Sequence, residues 1–178
     1  MEDSSNQPPL GLERRTLLSA AMAAPLIAAL SEGAAWAEPI DPKQTFVLQP
    51  EEIGFVPWLN LPEGSGEMAK LYGDFDKPGP YLVVMRWNPG WFSAPHSYAT
   101  DRIQMVISGA WHVNSGRDFD PENAVPVRAG GFVKRTARTY HYDGVPSSSS
   151  EPAVVAVFGV GPVDIRLAEP DKPGWRQF

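Results

Sequence analysis

The chain has 178 residues, 15 basic against 21 acidic, and a formal net charge of −6. No basic side chains are clustered, which excludes the electrostatic footprint of a nucleic-acid binder. Cysteine is absent, so disulfides, thiolate catalysis and cysteine metal ligation are excluded as well.

The first 37 residues read as an address rather than as part of a fold. Arg14-Arg15 is followed by Thr16-Leu17-Leu18 and an uncharged, alanine-rich run to Leu30, and Ala35-Trp36-Ala37 supplies a small-x-small cleavage pattern. This resembles a bacterial twin-arginine export signal, with Glu13, Leu17 and Ser19 standing where that motif prefers Ser or Thr, Phe and Lys. Glu2, Asp3 and Glu13 offset the two arginines, whereas an ordinary secretory leader begins with plain positive charge. The apolar run from Thr16 to Leu30 is interrupted by Pro25 and falls short of the roughly 20 residues that a bilayer span needs. The expectation is a leader over 1–37 and one domain over 38–178. The domain begins at Glu38, crosses to the periplasm or the exterior already folded, and keeps no membrane span.

Past the leader, 13 basic and 17 acidic residues remain in a chain without internal repeats, which suits one domain around one core. Sixteen prolines and 14 glycines punctuate this part and exclude long helices. In chain order, apolar and β-branched runs predict strands at Thr45 to Leu48, Met68 to Tyr72, Tyr81 to Trp87 and Arg102 to Ser108. Further runs follow at Ala110 to Asn114, Ala124 to Val127, Phe132 to Arg135, Thr139 to Asp143, Ala153 to Phe158 and Val163 to Leu167. So many short strands imply an all-β sandwich or barrel-like jelly roll. Ile103 to Val113 reads as a hairpin turning at Ser108-Gly109. Gly116 to Asn123 and Ser147 to Ser150 read as loops.

Side chains alternate across a strand. Ile103, Met105 and Ile107 therefore share one face, and Arg102, Gln104 and Val106 the other. Counting back by twos from Arg102 reaches Tyr98 and His96, across a turn at Ala99 to Asp101. In a later strand His141 faces away from Tyr140 and Tyr142. Two separate strands thus each offer a histidine in an otherwise apolar setting. His112 reads as a rim histidine, and Asp118, Asp120 and Glu122 as a solvated loop that lacks the glycine and spacing of a calcium loop. Trp87, Trp91, Phe92, Trp111, Phe132 and Tyr142 are dense enough around these residues to line a pocket, although core packing would explain them as well.

The segment from His96 to Gly109 resembles the first cupin motif, His-x-His, then Glu, then Gly. His96 takes the first place, Tyr98 the second, Arg102 the Glu place and Gly109 the last. Gly131 through His141 resembles the second motif, with Thr136 and Arg138 in place of its proline and glycine. Phe158-Gly159-Val160-Gly161-Pro162 is similar to the closing strand of small single-domain cupins. The resemblance spans about residues 81–167. It implies a double-stranded β-helix, a cupin jelly-roll barrel whose mouth holds a small molecule and often a divalent metal. Cupins include dioxygenases, decarboxylases, lyases, isomerases and plain binders.

In metal-holding cupins the two histidines and the Glu of the first motif, with the histidine of the second, coordinate the ion. Here His96 and His141 are retained, with Gln104 or Tyr98 as further donors. An Arg102 guanidinium about 5 Å from a divalent ion would be repelled by on the order of 6 kcal/mol at an effective dielectric of about 20. A metal would require Arg102 to turn to Asp101 or to a substrate carboxylate; Fe, Mn, Zn and Ni would all suit imidazole. Three readings stay open. One is metal-assisted oxygenase-like or lyase-like chemistry on a small organic molecule, with metal ligands His96, His141 and Gln104. Another is metal-free isomerisation, elimination or decarboxylation. In that reading His96 or His141 takes a proton, Tyr98 returns one and Arg102 holds a carboxylate or enolate. The last is non-catalytic ligand binding. The expected partner is a small molecule, with room left for a homodimer.

Overall fold

A computed structural model describes residues 47–58 and 61–178, so the 1–37 leader lies outside the described residues. In chain order the strands are β1 Val56–Pro57, β2 Gly66–Tyr72, β3 Gly79–Trp87, β4 Trp91–Ser93, β5 His96–Ser97, β6 Arg102–Ser108 and β7 Ala110–Ser115. They continue with β8 Val125–Arg128, β9 Phe132–Arg135, β10 His141–Val145, β11 Ala153–Gly161, β12 Arg166–Leu167 and β13 Trp175–Gln177. Of the predicted run Thr45 to Leu48, Val47 and Leu48 are not in a strand and the rest lies outside the described residues.

One antiparallel sheet runs β1-β2-β3-β11-β6-β9. The other runs β12-β5-β10-β4-β13, with β7 on the free side of β10 and β8 beyond it. The two sheets face each other across one core that draws Tyr81, Val83, Met85, Trp87, Val106, Val155 and Val157 from the first and Trp111 and Val145 from the second. This is the expected double-stranded β-helix.

The predicted hairpin is corrected. Strand β6 pairs with β11 and β9, while β7 pairs with β10 and β8, so the two runs lie in different sheets. Gly109 turns the corner with φ +73°, and a Cβ there would collide with the Pro152 carbonyl oxygen. Only glycine tolerates both the left-handed backbone and that approach. A Ser-Gly pair signals a sharp turn, but it does not say whether the chain returns to its own sheet or crosses to the facing one.

Register stacks the interior in layers. Trp87 lies opposite Ala153, and the next layer aligns Met85, Val155 and Val106. Val83, Val157, Gln104 and Val133 follow, and last come Tyr81, Gly159, Arg102 and Arg135. On the second sheet Asp143 pairs with Val113, and His141 pairs with both His96 and Ser115. One end of the barrel is therefore an apolar plug. Each fully buried large side chain in it is worth about 1.5–3 kcal/mol. The other end is polar and rests on that plug.

Candidate functional site

The polar end is assembled by cross-strand pairing. His96 in β5 and His141 in β10 are direct partners, so their side chains leave the sheet on one face. Their ring centroids lie 4.5 Å apart. Nδ1 of His96 stands 2.7 Å from the Ala94 carbonyl oxygen and Nδ1 of His141 3.0 Å from that of Thr139. A carbonyl only accepts, so each Nδ1 carries the proton, and each Nε2 is left as a bare acceptor. Burial drives the His96 pKa down to about 4, with the guanidiniums of Arg102 and Arg135 pushing the same way. Burial, His96 and the same two cations lower His141 to about 2. Both imidazoles are neutral at pH 7.

Tyr98 follows β5, and its carbonyl accepts from the N–H of Arg138 at 2.8 Å. Arg138 has φ +58°, the left-handed conformation that the glycine of the second cupin motif would take more readily. That turn fixes the exit of β5 against the entry of β10. The Tyr98 ring lies 4.8 Å from His96 and 5.7 Å from His141, centroid to centroid. On Tyr98 rests the guanidinium of Arg102, 3.9 Å from the ring centroid. Burial alone would lower the pKa of Arg102, but the Tyr98 and Tyr81 phenols and Asp143 raise it above its ordinary value. Arg102 thus points inward from the Glu place of the motif, and Gln104 lies one layer deeper on the same face, both buried.

Three further residues belong to this cluster, and sequence reasoning does not single them out. Arg135 is the direct partner of Arg102 across β6 and β9. It donates to the carbonyls of Asn114 and Tyr142 at 3.0 and 3.3 Å and stands 3.6 Å from the Asp143 carboxylate. Burial raises the pKa of Asp143, against the pull of Arg135 and Arg102. Tyr81 completes the layer. Its hydroxyl occupies the space that a side chain at Gly159 would fill, 2.5 Å from the position of a Cβ. Counting by twos from His141 would have found Asp143. No comparable signal marks Arg135, whose neighbour Lys134 faces out to Asp101.

Among the described residues seven buried polar atoms find no partner: Tyr81 Oη, Arg102 Nε, Gln104 Oε1, Trp111 Nε1 and Arg135 Nε, together with Trp87 Nε1 in the apolar plug and His112 Nδ1 on β7. Buried polar atoms are nearly always satisfied, and most of these lie at the polar end of the barrel. Of the six candidate lining aromatics, Trp111 reaches this cluster, with the Arg135 guanidinium 5.8 Å from its ring centroid, whereas Trp87 is a core residue of the apolar plug. Phe132 is corrected: it is 60% exposed on the outer face. Tyr142 packs on Phe119, and Trp91 on Trp175. Asp118, Asp120 and Glu122 lie on the loop, where Asn123 donates to the Asp120 carboxylate.

The donor set does not fit a divalent metal. Two imidazoles converge, but among the described residues no three His, Cys, Asp or Glu side chains are grouped to hold an ion. Asp143, the one buried carboxylate among the described residues, is engaged by Arg135, and Arg102 adds positive charge where the motif's Glu would add negative.

No protein-family model and no curated protein matches the sequence. Solved structures do match. The polyketide cyclase RemF from Streptomyces resistomycificus superposes with a TM-score of 0.57 at 12% identity, covering 70% of this chain and 85% of that one. A protein with a cupin-like fold from Ralstonia eutropha gives 0.56 at 16%, covering 70% and 78%. A cupin-2 domain from Rhodospirillum rubrum gives 0.52 at 16%, covering 72% and 82%. Shared shape at such low identity speaks for the fold, and with the layered barrel described above it makes this chain a protein of the cupin fold, a double-stranded β-helix.

Proposed function

We propose that the polar end of the barrel performs metal-free acid–base chemistry on a small organic carbonyl compound. The observation that carries this reading is the pair of neutral imidazoles, each with Nδ1 tied to the backbone and Nε2 free. Such a nitrogen accepts a proton from a carbon beside a carbonyl, and the charge that develops on the carbonyl oxygen faces the Arg102 guanidinium. The Tyr98 ring lies against that guanidinium and both imidazoles, and its phenol would return a proton. Metal-assisted chemistry on His96, His141 and Gln104 is the weaker reading, because both arginines oppose a cation there.

The test works whatever product forms. A panel of small carbonyl compounds is incubated with the protein in D2O, and loss of the signal from hydrogen on the carbon next to the carbonyl is followed by proton NMR. Enzyme-dependent exchange is expected that chelators leave intact and that His96→Ala or His141→Ala abolishes. Exchange that persists in both variants, or that appears with no compound, rejects the reading. In the second case the site is a binder.

Two proposals about context follow. Export by the twin-arginine route is supported by Arg14-Arg15 and Ala35-Trp36-Ala37, and an N-terminus at Glu38 in protein recovered from the periplasm would test it. A second copy of the chain is the proposed cover for the outer face of the first sheet, where Ile103, Met105, Ile107, Phe132 and Phe158 are exposed. The three strands that carry it, β11, β6 and β9, project about 300 Å² at usual strand spacings, so a stable interface of about 800 Å² per partner would extend beyond this patch.

A further inference from the structure

We infer that the molecule received at this site is a small organic acid carrying one carboxylate, and that Arg102 is its counter-charge. The inference rests on the acid–base reading of the same site and names what that reading leaves open.

The charges of the interior do not balance among themselves. Arg102 is 8% exposed and Arg135 6%. Asp143 matches Arg135, whose remaining N–H groups are largely taken up by the Asn114 and Tyr142 carbonyls. Among the described residues no carboxylate lies within ion-pair distance of Arg102, and its Nε has no acceptor. Its surroundings are the Tyr98 ring at 3.9 Å and the Tyr81 ring at 5.9 Å. With both imidazoles neutral, at least one positive charge is left over in a place where charges are ordinarily paired.

The form of that charge selects the ligand. A guanidinium presents a planar fork of N–H donors, which matches the two oxygens of a carboxylate better than it matches a spherical anion. Two negative charges would overshoot the single one missing. The layer beneath Arg102 is formed by Val83, Val157, Val133 and Gln104. It offers an apolar floor with one amide whose oxygen has no partner, suited to a short carbon skeleton that carries a hydroxyl. An arriving carboxylate would also offset the smaller share of the low pKa values of His96 and His141 that comes from Arg102 and Arg135, while the larger share from burial stays.

Matched acid and amide pairs test this on the full chain: acetate and acetamide, lactate and lactamide, benzoate and benzamide, with malonate as a dianion and chloride as a simple anion. A ligand that binds only the native state raises Tm. At least one monocarboxylate is expected to raise Tm above its amide and above malonate and chloride. Arg102→Met removes that preference, weakening the acid about 10- to 100-fold by titration calorimetry, as expected for the loss of charge-assisted hydrogen bonds. Arg102→Lys retains part of it, and Arg102→Met without ligand keeps or raises the Tm of the free protein. The inference is overturned if no acid is preferred to its amide, if chloride reproduces the shift, or if the preference survives Arg102→Met. His96→Ala and His141→Ala should keep the acid preference while losing hydrogen exchange. Acid preference without any exchange would sink the catalytic reading alone, and exchange without acid preference would sink this inference alone.

Discussion

Strand β6 has two faces, and compared with an ordinary sheet strand each carries the wrong kind of residue. Arg102 and Gln104 point into the barrel and are buried, whereas Ile103, Met105 and Ile107 point outward and are about half exposed. Alternation normally places apolar side chains inside and polar ones outside. Val106, at the apolar plug, and the exposed Ser108 at the strand's end follow that rule. The outer face continues across the sheet, for Ile103 pairs with Phe158 and Met105 with Phe132. An inverted strand teaches that neither face is explained by folding the single chain. A polar interior costs stability that a ligand can offset, and an apolar exterior costs solubility that a partner can offset.

The comparison breaks most severely if the interior is more watery than its burial suggests. Asp143→Asn should then matter little. If the interior is as dry as described, the variant leaves Arg135 and Arg102 without any opposing charge and destabilises the protein by about 3–5 kcal/mol, measured by urea unfolding. Arg135→Met with Asp143→Leu replaces both partners and should recover most of that loss.

Titration sharpens the same point. His96 and His141 are held below the unfolded value of 6.5. At pH 7 the native rings bind no proton and the unfolded ones only a minor fraction, so the contribution to stability is nearly complete. As pH falls below 6.5 the unfolded chain takes up protons that the native chain refuses, so stability declines until the folded pKa is reached. For His96, moved to about 4, this amounts to about 3 kcal/mol lost between pH 6.5 and 4, and His141 adds a loss of the same sign. Asp143, whose pKa is raised, acts in the opposite sense and offsets part of it at the acid end. Urea unfolding across this range should show the slope in the wild type and a shallower one in His96→Gln. Equal slopes would mean that the rings are open to solvent.

The parts of this arrangement that are legible in the sequence are those that depend on alternation within one strand or on motif spacing. Arg102 to Ser108 and Phe132 to Arg135 are readable to the residue, because each alternates and is bounded by turn residues. His96, Tyr98, Arg102 and His141 are readable as a group from the cupin-like spacing, and the structure brings them together. Strands β4, β5 and β13 are not readable. Two or three residues show no period, and these hold their conformation only through partners such as Gly144 against Phe92. Arg135 is hidden for the same reason: its inward direction is set by its pairing with Arg102, and in the sequence it is one half of an ordinary Lys-Arg pair.

Gly159→Ala probes the inner face at a smaller scale. The new methyl would meet the Tyr81 hydroxyl at 2.5 Å. Tyr81 must give way, at an overpacking cost of about 1–3 kcal/mol that thermal unfolding would register. The variant should also weaken carboxylate binding, because Tyr81, Gly159 and Arg102 share one layer and the phenol can no longer hold its place in it. Unchanged binding would place the ligand away from this layer.

The outer face gives the smallest effect on the folded chain and the clearest one on assembly. Met105→Glu replaces a half-exposed side chain that contributes little to the core, so the unfolding free energy of the monomer should change by no more than about 0.5 kcal/mol. Two copies meeting across this sheet would bring the new carboxylates into a desolvated, self-complementary contact, where like charges oppose association. Sedimentation velocity should therefore show a dimer for the wild type and a monomer for the variant at the same concentration. A wild type that is monomeric at every concentration would remove the partner from the argument. The inverted strand would then be explained on its inner face only, and the exposed Ile103, Met105 and Ile107 would stand as a surface with no cover.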